Sequence, residues 1–229
     1  MKPNNTKQPV LGWGLFWGLL ALSLVSFAAH LIVYPALPDQ VPRQWSLSGG
    51  VNSWMSKEYL WLLDALPLAL VILFKVIPAI EPRADSYRKM RGLWGVFVTV
   101  MTLLMIGFTW MTELYFWGPE SLWGYLPAAV ICLIGAGLVA LGNYMPRIRQ
   151  NYTMGVRTPW ALASDHCWQR TQRMGGICFV IIGLLMILST LIDLATGFGI
   201  SGFVTVASLF VCIAWLYVYS WLVFIGKMK

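Results

Sequence analysis

Charge is what this sequence has least of. Only 11% of its 229 residues are Asp, Glu, Lys or Arg, and 59% are apolar, whereas soluble domains run at ~25% charged and ~45–50% apolar. That balance excludes an ordinary water-soluble globular protein, and the apolar excess excludes a disordered chain. Cysteine is sparse: Cys132, Cys167, Cys178 and Cys212 show neither CxxC spacing nor a secreted-scaffold pattern, so no disulfide and no structural metal are expected. His166 adjoins Cys167, but no spaced second pair exists for a tetrahedral site. Nothing supplies the nucleophile–base arrangement of a catalytic triad. Gly197-Phe-Gly-Ile-Ser-Gly202 fits GxGxxG, but without a preceding strand it does not mark dinucleotide binding. No cofactor is expected.

What the chain has instead is six long apolar runs: Val10–Tyr34, Tyr59–Ile80, Leu93–Trp117, Leu122–Leu141, Gly176–Ile192 and Phe203–Ile225. Each is long enough to cross a bilayer, which takes ~20 residues. The second holds Asp64, Lys75, Pro67 and Pro78. It reads as a full span rather than a dipping hairpin, because neighbouring helices can satisfy carbonyls freed by proline. The first run exceeds the ~7–15 residues of a signal h-region and reads as an uncleaved helix. The fold class expected is all-α, a polytopic membrane protein with six transmembrane helices. Gly14 and Gly18 form GxxxG in the first span, which points to close helix packing, within the chain or with a partner.

Orientation follows from the cations. Thirteen of the sixteen Lys and Arg (Lys2, Lys7, Arg83, Arg88, Lys89, Arg91, Arg147, Arg149, Arg157, Arg170, Arg173, Lys227 and Lys229) fall on one side, against Arg43 and Lys57 on the other. Positive charge marks the cytoplasmic side, so both termini are expected there. The net charge of +7 thus belongs to membrane-flanking loops and implies lipid contact rather than nucleic acid. Trp61, Trp110, Trp117 and Trp123 near the outer boundary, with Trp13, Trp17 and Trp94 near the inner one, read as interfacial anchors.

Two loops are longer than a connection needs: the outer loop 35–58 and the inner loop 142–175. In the outer one, Pro35, Pro38 and Pro42 discourage helix and Gly49-Gly50 permits a turn, while Trp45 and Trp54 add apolar weight. An ordered cap on the outer interface and a recognition surface both fit, and the residues alone favour the cap. In the inner loop, Ser164-Asp165 is a helix start, with a side-chain oxygen for the free N–H groups and a carboxylate at the positive dipole end. A short helix from there to Met174 would place Trp168 and Thr171 on one face, flanked by Arg170 and Arg173. Such a helix could lie along the inner interface near lipid phosphates, or dock a cytoplasmic partner.

These loops resemble the signatures of the bacterial SdpI family, multispanning immunity proteins named for the sporulation-delaying killing-factor system. Gly142-Asn143-Tyr144-Met145-Pro146, Asn151-Tyr152, Gly155-Val-Arg157-Thr158-Pro159-Trp160, Ser164, Trp168, Thr171, Arg173 and Gly175-Gly176 match in order and spacing. Leu37-Pro38, Val41-Pro42, Trp45, Gly49 and Trp54 resemble a small membrane domain of unknown function often fused ahead of it. Gln44 stands where that domain commonly has His, and Asn52-Ser53 where it often has Asp-Gly, so no metal or proton role is assigned to that loop. His166 and Gln172 stand where the inner motif is often acidic and His, respectively. The resemblance implies a two-span module at 1–92 and a four-span SdpI-like module at 93–229 in a bacterial plasma membrane. It also implies protection from a secreted toxic peptide on the outer side and capture of a small helix-turn-helix repressor on the cytoplasmic side. Asn143, Pro146, Arg157, Thr158, Pro159, Trp160, Trp168, Arg170, Thr171 and Arg173 would carry the inner partner surface, without enzymatic activity.

Ionisable residues within spans are costly and point to function by default. His30, Asp64 and Glu113 each sit ~6–8 Å below the outer boundary by helix rise, with Glu120 and Asp193 near the same face. Slightly misplaced boundaries would let them simply reach water. Otherwise they form an outer pocket for a cationic peptide segment, protons or cations. Lys75, eleven residues after Asp64, is too far for a direct pair and is expected to snorkel to the cytoplasmic interface. Two rival readings follow: a proton- or cation-coupled transporter using these groups, and a lipid-headgroup enzyme using Asp165 and His166.

Overall fold

The computed structural model describes residues 9–46, 50–119, 122 and 125–228. It is a polytopic helical protein with six helical segments long and apolar enough to cross a membrane: Trp13–Ala36, Lys57–Ile80, Arg91–Trp117, Leu126–Arg147, Asp165–Thr196 and Ser201–Phe224. Large apolar side chains on these segments, such as Val25, Ile32, Leu62, Ile80, Phe203 and Phe210, are exposed, as hydrocarbon solvent requires. Hydroxyls within the spans donate to their own helix: Ser23 to Leu19 O, Thr102 to Val98 O and Thr190 to Met186 O. In lipid that satisfies each of these hydroxyls without a neighbouring helix.

The chain forms two compact units. The first holds α1 (Trp13–Val33), a hairpin of β1 (Gln40–Trp45) and β2 (Val51–Ser56), α2 (Leu60–Asp64), α3 (Leu66–Ile80), α4 (Ala84–Lys89), α5 (Arg91–Thr109) and α6 (Met111–Trp117). The hairpin is an addition to the all-helical expectation. Pro42 suits a two-stranded sheet, where every strand is an edge, and it faces Trp54, while Val41 faces Met55. The pairing is irregular between Pro42 and Trp45. Val41 and Leu37 bury against Leu60 at the start of α2, with Met55 and Phe116 packed beside them. The described part of the loop 35–58 is thus an ordered cap on its own helices, and Gly49 lies outside the described residues.

The second unit holds α7 (Leu126–Tyr144), α8 (Pro159–Ala163), α9 (Asp165–Thr196) and α10 (Ser201–Phe224). The short interfacial helix expected at 164–174 is instead the first third of α9, which runs for 32 residues without a break. Trp168, Thr171 and Gln172 are at most 1% exposed, so their face is packed against protein and cannot lie on lipid. Ser164 caps the helix as expected, accepting from Cys167 N at 3.4 Å. Gly135 and Gly142 of α7 meet Gly183 and Gly176 of α9, the close approach that small residues allow between membrane helices. Gly14 and Gly18, where such packing was expected, have no neighbouring atom within 4 Å of an added Cβ. Gly197 and Gly199 take positive φ in the turn between α9 and α10, with no strand before them.

Candidate functional site

Two constellations carry chemistry, one in each unit. In the second, the chain leaving α7 is shaped into a rigid loop by side chains that bond backbone. The Asn151 carboxamide oxygen accepts from Thr153 N at 2.8 Å and Met154 N at 2.6 Å, and its nitrogen donates to Arg149 O at 2.7 Å. Gln150 donates to Ala161 O and Leu162 O at the end of α8. The buried Gln172 on α9 grips Val156 from both sides, accepting from its N–H at 3.0 Å and donating to its carbonyl at 2.8 Å. Gly155 allows this approach: its φ is +93°, and a Cβ there would lie 2.5 Å from the Gln172 oxygen. Trp168 Nε1 donates to Ile148 O at 2.8 Å. Thr158 caps α8 through Ala161 N and meets the Ser220 hydroxyl of α10.

The expected partner residues therefore divide. Thr158, Trp168 and Thr171 are buried instead of facing outward, and Thr158 and Trp168 bond the loop and its neighbours. Trp160 is half-buried, edge-on to Tyr217 at 5.0 Å. Asn143, Pro146, Arg157, Pro159 and Arg173 are exposed, and Arg170 is half-buried. With exposed Arg147 and Arg149, they form a strongly basic surface on a frame fixed by uncharged amides and hydroxyls. Gln150, Asn151, Gln172 and Ser220 were not among the residues expected to carry the partner surface, although Asn151 and Gln172 fall in the motif. Amide side chains in a polar loop look like solvent contacts until the fold turns them inward.

In the first unit, His30, Asp64 and Glu113 come together from three spans. They are only 2–3% exposed, so the expectation that they simply reach water is corrected. His30 Nδ1 lies 2.9 Å from Glu113 Oε1, and Nε2 lies 3.2 Å from Thr109 Oγ1 and 3.6 Å from Asp64 Oδ1. Trp110 stacks on the imidazole at 4.2 Å between centroids and donates from Nε1 to Ser26 Oγ at 2.9 Å. It is part of the cluster as well as a boundary aromatic. Thr109 and Ser26 carried no signal in the sequence, since hydroxyls are common in spans. Pro38 is exposed and Pro42 buried, while Trp45 and Trp54 sit edge-on to Tyr115 of α6 at 6.5 and 6.2 Å.

The other charged groups have structural places. Lys75 reaches the start of α1: its ammonium donates to Leu11 O at 2.7 Å and lies 3.8 Å over the Trp13 ring. Asp193 accepts from Ile200 N and Ser201 N at the start of α10. Glu120 and Trp123 lie outside the described residues. His166 is exposed while Cys167 is buried, so the adjacent pair does not converge.

Residues 147–220 match the model of the SdpI/YfhL protein family, and residues 21–71 match a domain of unknown function, DUF1648. The chain is 25% identical over 164 residues to Immunity protein SdpI of Bacillus subtilis (strain 168), covering 71% of this chain and 74% of that protein. No solved structure matches it. The two segments read from the loop motifs are therefore present. The first spans His30, the hairpin and Asp64, and the second spans the gripped loop, α8, α9 and most of α10.

Proposed function

We propose that this chain is a non-enzymatic immunity protein of the bacterial plasma membrane, with both termini in the cytoplasm, that protects its cell from a secreted toxic peptide. The observation that carries the reading is the SdpI/YfhL segment at 147–220, together with the identity to an immunity protein along most of both chains. The cation distribution supports the orientation, since Lys and Arg are retained on the cytoplasmic side. In that orientation the hairpin cap meets the toxin, and the loop between α7 and α9 faces the cytoplasm.

The inner loop is the surface for a cytoplasmic partner, a small helix-turn-helix repressor held at the membrane. A site presented on a rigid frame loses little conformational entropy on binding, and this frame holds Arg157 and Arg173 outward. Buried Trp168, Thr171 and Thr158 contribute by fixing the frame. Production of the chain in toxin-sensitive cells tests the reading. Survival should rise, and Arg157→Ala with Arg173→Ala should weaken partner capture at unchanged membrane abundance. Unaltered killing, or capture indifferent to both substitutions, would overturn it.

A further inference from the structure

The buried cluster of the first unit lends itself to a proton count. The Thr109 hydroxyl donates to Ile106 O at 2.8 Å, which leaves its oxygen to accept from His30 Nε2 and assigns a hydrogen to that nitrogen. One hydrogen then lies between His30 Nδ1 and Glu113 Oε1, 2.9 Å apart. With Glu113 Oε2 bare, the His30–Glu113 pair is neutral overall whichever of these two atoms holds it. Asp64 is left as the third group. At 3.6 Å from Nε2 its Oδ1 is beyond hydrogen-bond distance, and it has no hydrogen-bond partner among the described residues, nor does Glu113 Oε2.

No Lys or Arg among the described residues forms an ion pair with the cluster. Of the charged groups on the surrounding elements, Lys57 pairs with Asp39 at 3.2 Å and Lys75 is held by Leu11 O. Glu58 and Arg43 are exposed, and Arg91 stands at the far end of α5. An ionised Asp64 thus leaves one uncompensated negative charge among buried groups, which is expensive; one proton removes it. Both His30 ring nitrogens are engaged, so the imidazole offers no free lone pair to a metal, and no metal-holding group of His, Cys, Asp and Glu occurs among the described residues.

We propose that Asp64, with the His30–Glu113 pair behind it, is a binding site for one exchangeable proton, loaded from the hairpin end of the first unit. The carboxylates sit on short helical pieces, α2 and α6, that also carry Leu60 and Phe116 against the hairpin. Proton occupancy is thereby coupled to how the cap is seated. This inference stands independently of the immunity reading.

Infrared spectroscopy of the full chain in liposomes tests it, cycling pH between about 5 and 8, where a water-exposed Asp stays ionised. Acidification should raise a carboxylic-acid carbonyl band that shifts when Asp, but not Glu, is isotopically labelled. Asp64→Asn should abolish that band, and Thr109→Val, which removes the acceptor fixing the Nε2 hydrogen, should move its midpoint. No titrating band in the wild-type chain, a band answering to Glu labels alone, or one surviving Asp64→Asn would overturn the proposal. The labelling result does not depend on whether any variant folds.

Discussion

The packing of α7 on α9 offers a sharp test, because its determinants are four atoms' worth of space. Gly135 faces Gly183 and Gly142 faces Gly176, each pair in mutual contact, so the contact recurs every seven residues along antiparallel helices. A Cβ at Gly142 would stand 2.6 Å from Gly176 O and 2.8 Å from Val180 Cγ2, and one at Gly135 would stand 2.8 Å from Gly183 O. Restoring an ordinary 3.4 Å contact at Gly142 requires the helices to part by about 0.8 Å. A gap of that size forfeits roughly a quarter to a half of each affected van der Waals contact, and overpacking of this kind costs about 1–3 kcal/mol. Alanine's better helix propensity returns up to ~1 kcal/mol. With the full propensity gain, Gly142→Ala should therefore destabilise by up to about 2 kcal/mol. Gly135→Ala/Gly142→Ala should cost less than the sum of the single changes, since one parting of the helices relieves both contacts. Gly137, on the same helix with nothing within 4 Å, is the control, and Gly137→Ala should be neutral or mildly stabilising. Reversible denaturation in mixed micelles, followed by tryptophan fluorescence, measures all three variants. If Gly142→Ala and Gly137→Ala unfold at the same midpoint, close glycine packing does not hold these helices together.

Two further outcomes follow from single side chains. Gln172→Leu removes both bonds to Val156 and leaves its backbone groups unpaired, at about 1–3 kcal/mol for a stranded polar group; trypsin cleavage after Arg157 should accelerate, while the spans remain intact. Lys75→Met keeps the length of the side chain but loses the bond to Leu11 O and the cation–π contact with Trp13. A loss on the order of 1 kcal/mol should appear as faster amide exchange at residues 9–13, and unchanged exchange there would count against this role.

Gly155, Trp168 and Thr171 belong to the motif, and in the fold Gly155 meets Gln172 of α9, Trp168 donates to Ile148 O of the loop, and Thr171 is buried on α9. Their spacing was legible; their inward direction was not. The expected surface helix carrying Trp168 failed for the same reason. The periodicity of residues 165–174 reports one apolar face, and a face buried against protein has the same pattern as one laid on lipid.

The linear sequence determined the solvent. Apolar runs of sufficient length, polar groups in the loops and basic residues gathered on alternate connections follow from transfer energies that each residue carries wherever it sits. It also marked His30, Asp64 and Glu113 as costly, since an ionisable group in a span must be answered by something. Only the tertiary structure decided what answers it. Hydrogen bonds form over about 3 Å, and bringing His30 to Glu113, 83 residues away, depends on how three spans rotate about their axes. Hydropathy is nearly blind to that rotation, because lipid-facing and protein-facing positions are both apolar.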